Sequence, residues 1–200
     1  MEITIDLIKQ LRAETGAGVL DCRKALETTE GDLEKAIAHL REKGLAAAAK
    51  KADREASEGL VEAYSHPGGR VAVLVEVNCE TDFVARTEQF QSFAHDMALH
   101  VAAMSPLFMA PEDIPAEDLE REKEMYRQQA LQEGKPERIV GRIIEGRLKK
   151  FYTETCLMEQ SFVKDDDVLI KDLVKEKITE LKENIVIRRF VRFELGQHVG

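Results

Sequence analysis

Apolar positions recur at helical spacing three times early in the chain, then alternate as in strands, then return to long helical stripes. Leu7, Ile8 and Leu11 follow Thr4, a candidate N-cap, and Thr15-Gly16-Ala17-Gly18 ends that first helix. Val19, Cys22, Ala25 and Leu26 line a second helix broken at Gly31. Asp32 caps a third, with Leu33, Ala36, Ile37 and Leu40 on one face and Gly44 as its expected stop. Helices this short do not persist alone in water, so their stripes are predicted to pack together as a three-helix bundle.

The Ala-rich, charged stretch 45–59 reads as a solvated helix leading into a connector. A boundary near Asp53–Glu58 gives two domains, 1–53 and 54–200. "LVEAY" (60–64), the turn "SHPGG" and "RVAVLVEV" (70–77) predict a hairpin, its second strand central and covered on both faces. Thr87 caps a helix carrying Phe90, Phe93, Ala94, Met97 and Val101, which Ser105-Pro106 stops. After a proline-marked loop, a charged helix is expected over 116–133. Pro136 opens another with Ile139, Val140, Ile143, Ile144 and Leu148 inward. A helix over about 167–178 and a last strand within 184–196 follow, the latter placing Ile185, Ile187, Val191, Phe193 and Leu195 on one face. The plan is α+β: a helical head, then an antiparallel sheet of at least three strands backed by helices.

Composition narrows the function. The 200 residues suffice for one sizeable core or a small domain beside a larger one. Net charge is −9, which argues against direct nucleic-acid binding by the chain as a whole. No apolar run approaches the roughly 18 residues of a membrane span, and the N-terminus lacks a secretory pattern. Cys22, Cys79 and Cys156 are odd in number and far apart, as in a reducing compartment with neither disulfide framework nor zinc site. A cytoplasmic protein is expected, or an organellar one after removal of a transit peptide.

Catalytic motifs are missing. There is no phosphate-binding glycine loop and no nucleophile elbow. His39, His66, His95, His100 and His198 read as solvated; His95 and His100 lie about 140° apart around a helix and cannot share one ion. "KDDDV" (164–168) reads as acids capping a helix rather than a magnesium site. "RLKK" (147–150) with Arg188, Arg189 and Arg192 reads as solvated or salt-bridged basic faces. Cys79, Glu80 and Asp82 are the best enzyme candidates but have no histidine nearby. The expectation is no enzyme, no cofactor and no metal, but a protein that binds another macromolecule. In "NCETDFVA" (78–85) an aromatic beside a strand end reads first as a packed core residue, while Asp82 opposes complete burial and Thr81 and Asp82 favour a cap or turn that presents Phe83 outward; the residues alone leave both readings open.

"LIKQLRAETGAGVLDCRKAL" (7–26) with "EGDLEKAIAHLREKG" (30–44) resembles the N-terminal domain of the elongation factor Ts family, a ubiquitin-associated-like bundle. "NCETDFVA", "KPERIVGRIIEGRLKKFYTETCLMEQSFVKD" (135–165) and "RRFVRFELG" resemble later family segments in the expected order. The resemblance implies a guanine-nucleotide exchange factor that binds elongation factor Tu. It implies that Thr81, Asp82, Phe83 and Val84 disturb the partner's magnesium and phosphate site. It implies that Arg12, Gly16, Val19 and Leu20 form the head contact, some relatives carrying methionines where this chain has Val19 and Leu20. The chain resembles the short forms, in which one core pairs with a copy of itself, and the last strand and "RVAVLVEV" are candidate edges for that pairing. The rival reading is a binding module without exchange activity on a dimeric scaffold.

Overall fold

Thr4 opens the chain's first helix as its sequence suggests: its hydroxyl accepts the Leu7 N–H at 3.3 Å. In the computed structural model, residues 3–197 are described, apart from the side chains of Leu45 and Ala47; His198 lies outside the described residues. Helices α1 (Ile5–Thr15), α2 (Val19–Thr28) and α3 (Leu33–Ala49) pack Leu11, Cys22, Ala25, Leu26, Ala36 and Leu40 into one core. Asp32 caps α3 through the Lys35 N–H at 3.0 Å. Gly44 does not stop α3. It lies inside the helix because the chain needs a close approach there: an added Cβ would stand 3.1 Å from the Thr179 hydroxyl, which itself donates to the Gly44 carbonyl.

After the head come β1 (Glu58–Ser65), β2 (Val71–Cys79), the single turn α4 (Asp82–Ala85) and α5 (Glu88–Met104). Then follow α6 (Ala116–Gln132), α7 (Glu137–Thr155), β3 (Ser161–Phe162), β4 (Asp165–Leu169), α8 (Ile170–Leu181) and β5 (Val186–Glu194). The fold is α+β, with a three-stranded antiparallel sheet in the order β1-β2-β5 and a β3-β4 hairpin. No helix among the described residues is long and apolar enough to cross a membrane. Gly59 sits at φ 141° in β1, where a Cβ would collide with the Val77 carbonyl.

The chain divides into two compact units. One comprises residues up to Val61, Glu76–Ala94 and Asp172–Arg188; the other comprises Glu62–Val75, His95–Lys171 and Arg189 onward. The boundary expected after Asp53 falls inside the first.

Four expectations are corrected. β2 is central in order, not an edge, and only one of its faces is covered: Val73, Val75, Val77 and Cys79 are buried while Ala72 and Leu74 are exposed. The edges are β1 and β5. In β5, Arg188 and Arg189 are exposed consecutively, which shifts the alternation by one, as a bulge does. Ile185 and Ile187 therefore point inward, whereas Val191, Phe193 and Leu195 are exposed and Arg192 takes the inner side. Arg192 is satisfied there by the Ala102 carbonyl at 3.3 Å and by Glu194 at 2.7 Å. Asp165–Asp167 do not cap a helix; they run along β4, paired with β3, and α8 starts only at Ile170.

His100 is the fourth correction, since it is wholly buried. Its Nδ1 accepts the Val163 N–H at 3.2 Å, so its Nε2 carries the proton and donates to Gln160 Oε1 at 3.0 Å. The Gln160 amide donates on to the Glu154 carbonyl at 2.9 Å. This ladder ties α5 to the start of the β3-β4 hairpin. Burial disfavours the imidazolium and holds the His100 pKa below its ordinary value.

The unfolded chain therefore takes up a proton at this residue that the folded chain refuses. Stability is full above about pH 6.5 and falls as pH drops below it, by up to about 1.4 kcal/mol per pH unit until the folded pKa is reached. Urea midpoints between pH 7 and pH 5 are expected to fall more steeply for the wild type than for His100→Gln; equal slopes would contradict the assignment.

Candidate functional site

Thr81 shapes the stretch that follows β2. Its backbone is extended, its hydroxyl accepts the Val84 N–H at 3.3 Å, and α4 turns once from Asp82 to Ala85. The Thr81 carbonyl accepts the Ala85 N–H at 3.2 Å and the Cys79 thiol at 3.2 Å. Thr87 closes the turn: its hydroxyl donates to the Val84 carbonyl at 2.7 Å and accepts the Phe90 N–H that begins α5. Within this pinned turn Val84 is buried, at 8 % exposure, while Phe83 stands 78 % exposed. Asp82 is exposed as well and pairs with Arg86 at 2.9 Å, one turn on. Thr81, Asp82 and Phe83 thus present themselves outward, and Val84 anchors them from below.

Two residues far along the sequence hold the turn in place. The Glu183 carboxylate accepts the Glu80 N–H at 3.1 Å, the Thr81 N–H at 3.0 Å and the Thr81 hydroxyl at 2.7 Å. The Glu80 carboxylate accepts the Asn184 N–H at 2.6 Å and faces Arg54 at 3.4 Å. Asn184, almost fully buried, donates its side-chain amide to the Ala52 and Arg54 carbonyls. Lys182 enables this by adopting φ 62° at the end of α8, which turns the chain back toward Glu80. The sequence reading missed Glu183, Asn184 and Arg54, and no local pattern marks them. Arg86 was findable as the i+4 partner of Asp82.

The head residues lie in the same compact unit. Gly16 ends α1 in the left-handed conformation at φ 63°, donating its N–H to the Arg12 carbonyl at 2.9 Å. Val19 and Leu20, at the start of α2, are 51 % and 72 % exposed, and Arg12 and Gly16 are exposed too. These two apolar side chains stand in water at a helix start, on a bundle that already has its own core.

Burial and the nearby Glu183 carboxylate push the Cys79 thiol up to about 11, so it stays protonated. Glu80 is occupied structurally by Asn184 and Arg54. Among the described residues no three His, Cys, Asp or Glu side chains converge to hold an ion. Of the basic clusters, Arg147 pairs with Glu133 at 3.0 Å and lies over the Tyr126 ring, and Lys150 pairs with Glu154.

Residues 6–197 match the family model described as Elongation factor TS. A protein named Elongation factor Ts from Carboxydothermus hydrogenoformans is 59 % identical over 195 residues, covering 98 % of this chain and 90 % of that one. Its namesake from Herpetosiphon aurantiacus is 58 % identical over 198 residues, covering 99 % of this chain and 100 % of the relative. A third, from Caldanaerobacter subterraneus subsp. tengcongensis, is 58 % identical over 98 % of both chains.

Thr81→Val removes the α4 cap and one Glu183 bond together. It is expected to cost about 1–2 kcal/mol, read as a lower urea midpoint with an unchanged slope.

Proposed function

Because the chain belongs to the elongation factor Ts family of translation elongation factors, we propose that it binds elongation factor Tu carrying GDP and accelerates GDP release. The observation that carries this reading is Phe83: a large aromatic left in water on a turn capped by Thr81 and closed by Thr87. In this reading Arg12, Gly16, Val19 and Leu20 dock the head on the partner's nucleotide-binding domain. Phe83 enters an apolar crevice of the partner. Asp82, steered by Arg86, reaches the water and side-chain network around the partner's magnesium. Weakened magnesium coordination leaves the nucleotide's phosphates under-neutralised, and GDP departs. No covalent bond forms or breaks in the factor, so it acts as an exchange factor rather than an enzyme.

The coupling is reciprocal: a factor that weakens GDP binding is itself bound more weakly by the GDP form. A thousandfold acceleration requires about 4 kcal/mol off the barrier. Burying one phenylalanine supplies roughly 1.5–3 kcal/mol. Phe83 alone is therefore insufficient, and the rest falls to Asp82 and to the head and core that hold the turn in place. Phe83→Ala is expected to reduce accelerated release of a fluorescent GDP from elongation factor Tu by about 10- to 100-fold, with circular dichroism unchanged. Release rates equal to wild type would overturn the plug. A wild type that binds the partner without accelerating release would favour the non-exchanging module.

Self-pairing is part of the same proposal. It is supported by β5, an edge strand on which Val191 and Phe193 are exposed, with Leu195 exposed just beyond its end. Phe193→Glu is expected to shift the light-scattering mass from dimer to monomer. A mass that stays dimeric in the variant, or a monomeric wild type, would remove this edge as the interface.

A further inference from the structure

Resting on the exchange reading, we infer that Glu183 is the positioning residue of the plug: it aims Phe83 without touching the partner. Its carboxylate is occupied by three donors of its own chain, the N–H groups of Glu80 and Thr81 and the Thr81 hydroxyl, all within 3.1 Å. Those donors sit at the single point where β2 ends and α4 begins, so they set the direction in which the next two residues leave. The α4 turn does not need Glu183 in order to form, because Thr81 and Thr87 already cap both of its ends. What Glu183 adds is a fixed orientation relative to the rest of the unit.

The frame it refers to is the head. Asn184 binds the Ala52 and Arg54 carbonyls just after α3, and its own N–H reaches the Glu80 carboxylate. The helix that delivers both residues is fastened to α3. Thr179 donates to the Gly44 carbonyl at 3.1 Å, Lys51 donates to the Ile178 carbonyl at 3.3 Å, and Arg41 pairs with Glu176 at 3.2 Å. The end of α8 is thus tied to the helical head on one side and to the plug turn on the other. A partner that grips the head meets Phe83 at a set angle. Removing Glu183 leaves both contact surfaces in the molecule but frees the angle between them.

The test is a double-mutant cycle on accelerated GDP release from elongation factor Tu at saturating factor, using wild type, Glu183→Ala, Phe83→Ala and the double variant. Glu183→Ala is expected to lower the maximal rate about 10-fold. The factor concentration giving half-maximal effect should move less than about 3-fold, because the head still docks. In the Phe83→Ala background the same substitution should cost under about 2-fold, since there is no ring left to aim. An unchanged rate in Glu183→Ala overturns the assignment. So does an equal 10-fold loss in both backgrounds, which would place its effect elsewhere. Should alanine unfold the chain, as thermal melting would reveal, Glu183→Met carries the same cycle: it keeps the length of the side chain but removes the carboxylate that accepts the three donors. A wild type that does not accelerate release defeats the exchange reading and this proposal with it, whereas an active wild type with an indifferent Glu183 defeats the positioning alone.

Discussion

One carboxylate with three donors fixes the geometry on which the rest depends. Glu183 is separated from Glu80 and Thr81 by about a hundred residues, yet the one hydrogen bond to Glu80 and the two to Thr81 close the first compact unit around the turn. Hydrogen bonds to a charged acceptor are stronger than neutral ones, and here all three converge on one group. Glu80 and Asn184 make the complementary link in the other direction. Either residue pair alone would hold a distance; together they hold an orientation. That is what an exposed aromatic needs if it is to meet a crevice in another protein instead of sweeping through solvent.

The same arrangement explains how this chain keeps Phe83 exposed without collapsing onto it. Directly beside it, Val84 and Ala85 fill the buried side of the turn, and Cys79 closes the strand end beneath. The apolar demand of the site is met by these smaller side chains, while the ring stays in water. Asp82 adds a second barrier, because its carboxylate and the Arg86 partner would both have to be desolvated for the turn to fold inward. An unpaired core vacancy, or a neutral residue at 82, would remove the reason for Phe83 to stay out.

The periodicity of the head was legible in the sequence because its helices are amphipathic and their caps are local: Thr4, Gly16 and Asp32 act where they stand. The exposed aromatic was legible only in part: Thr81 caps the turn from inside the motif, but an aromatic beside a strand end reads as core until the family resemblance is weighed. What escaped depended on contacts between distant segments. Gly44 looks like a helix stop until Thr179 is seen pressing on it. Val191, Phe193 and Leu195 look inward-facing until Arg188 and Arg189 shift the alternation of β5. His100 looks solvated until Gln160 and Val163 enclose it. Glu183 is one of many glutamates in a charged chain, and nothing near it in sequence distinguishes it.

Magnitudes show why orientation matters to such a turn beside the ring itself. Ordering one residue of free backbone costs about 1–2 kcal/mol. A plug of four residues, 81–84, presented by a loose loop would therefore lose about 4–8 kcal/mol on docking, more than the roughly 1.5–3 kcal/mol that burying Phe83 returns. A floppy version of this motif would bind its crevice at a net loss. The Glu183 and Asn184 contacts, with the caps at Thr81 and Thr87, meet that ordering cost during folding, before any partner is present. In the proposed exchange, the ring's burial energy is then left to act on the partner instead of organising the turn.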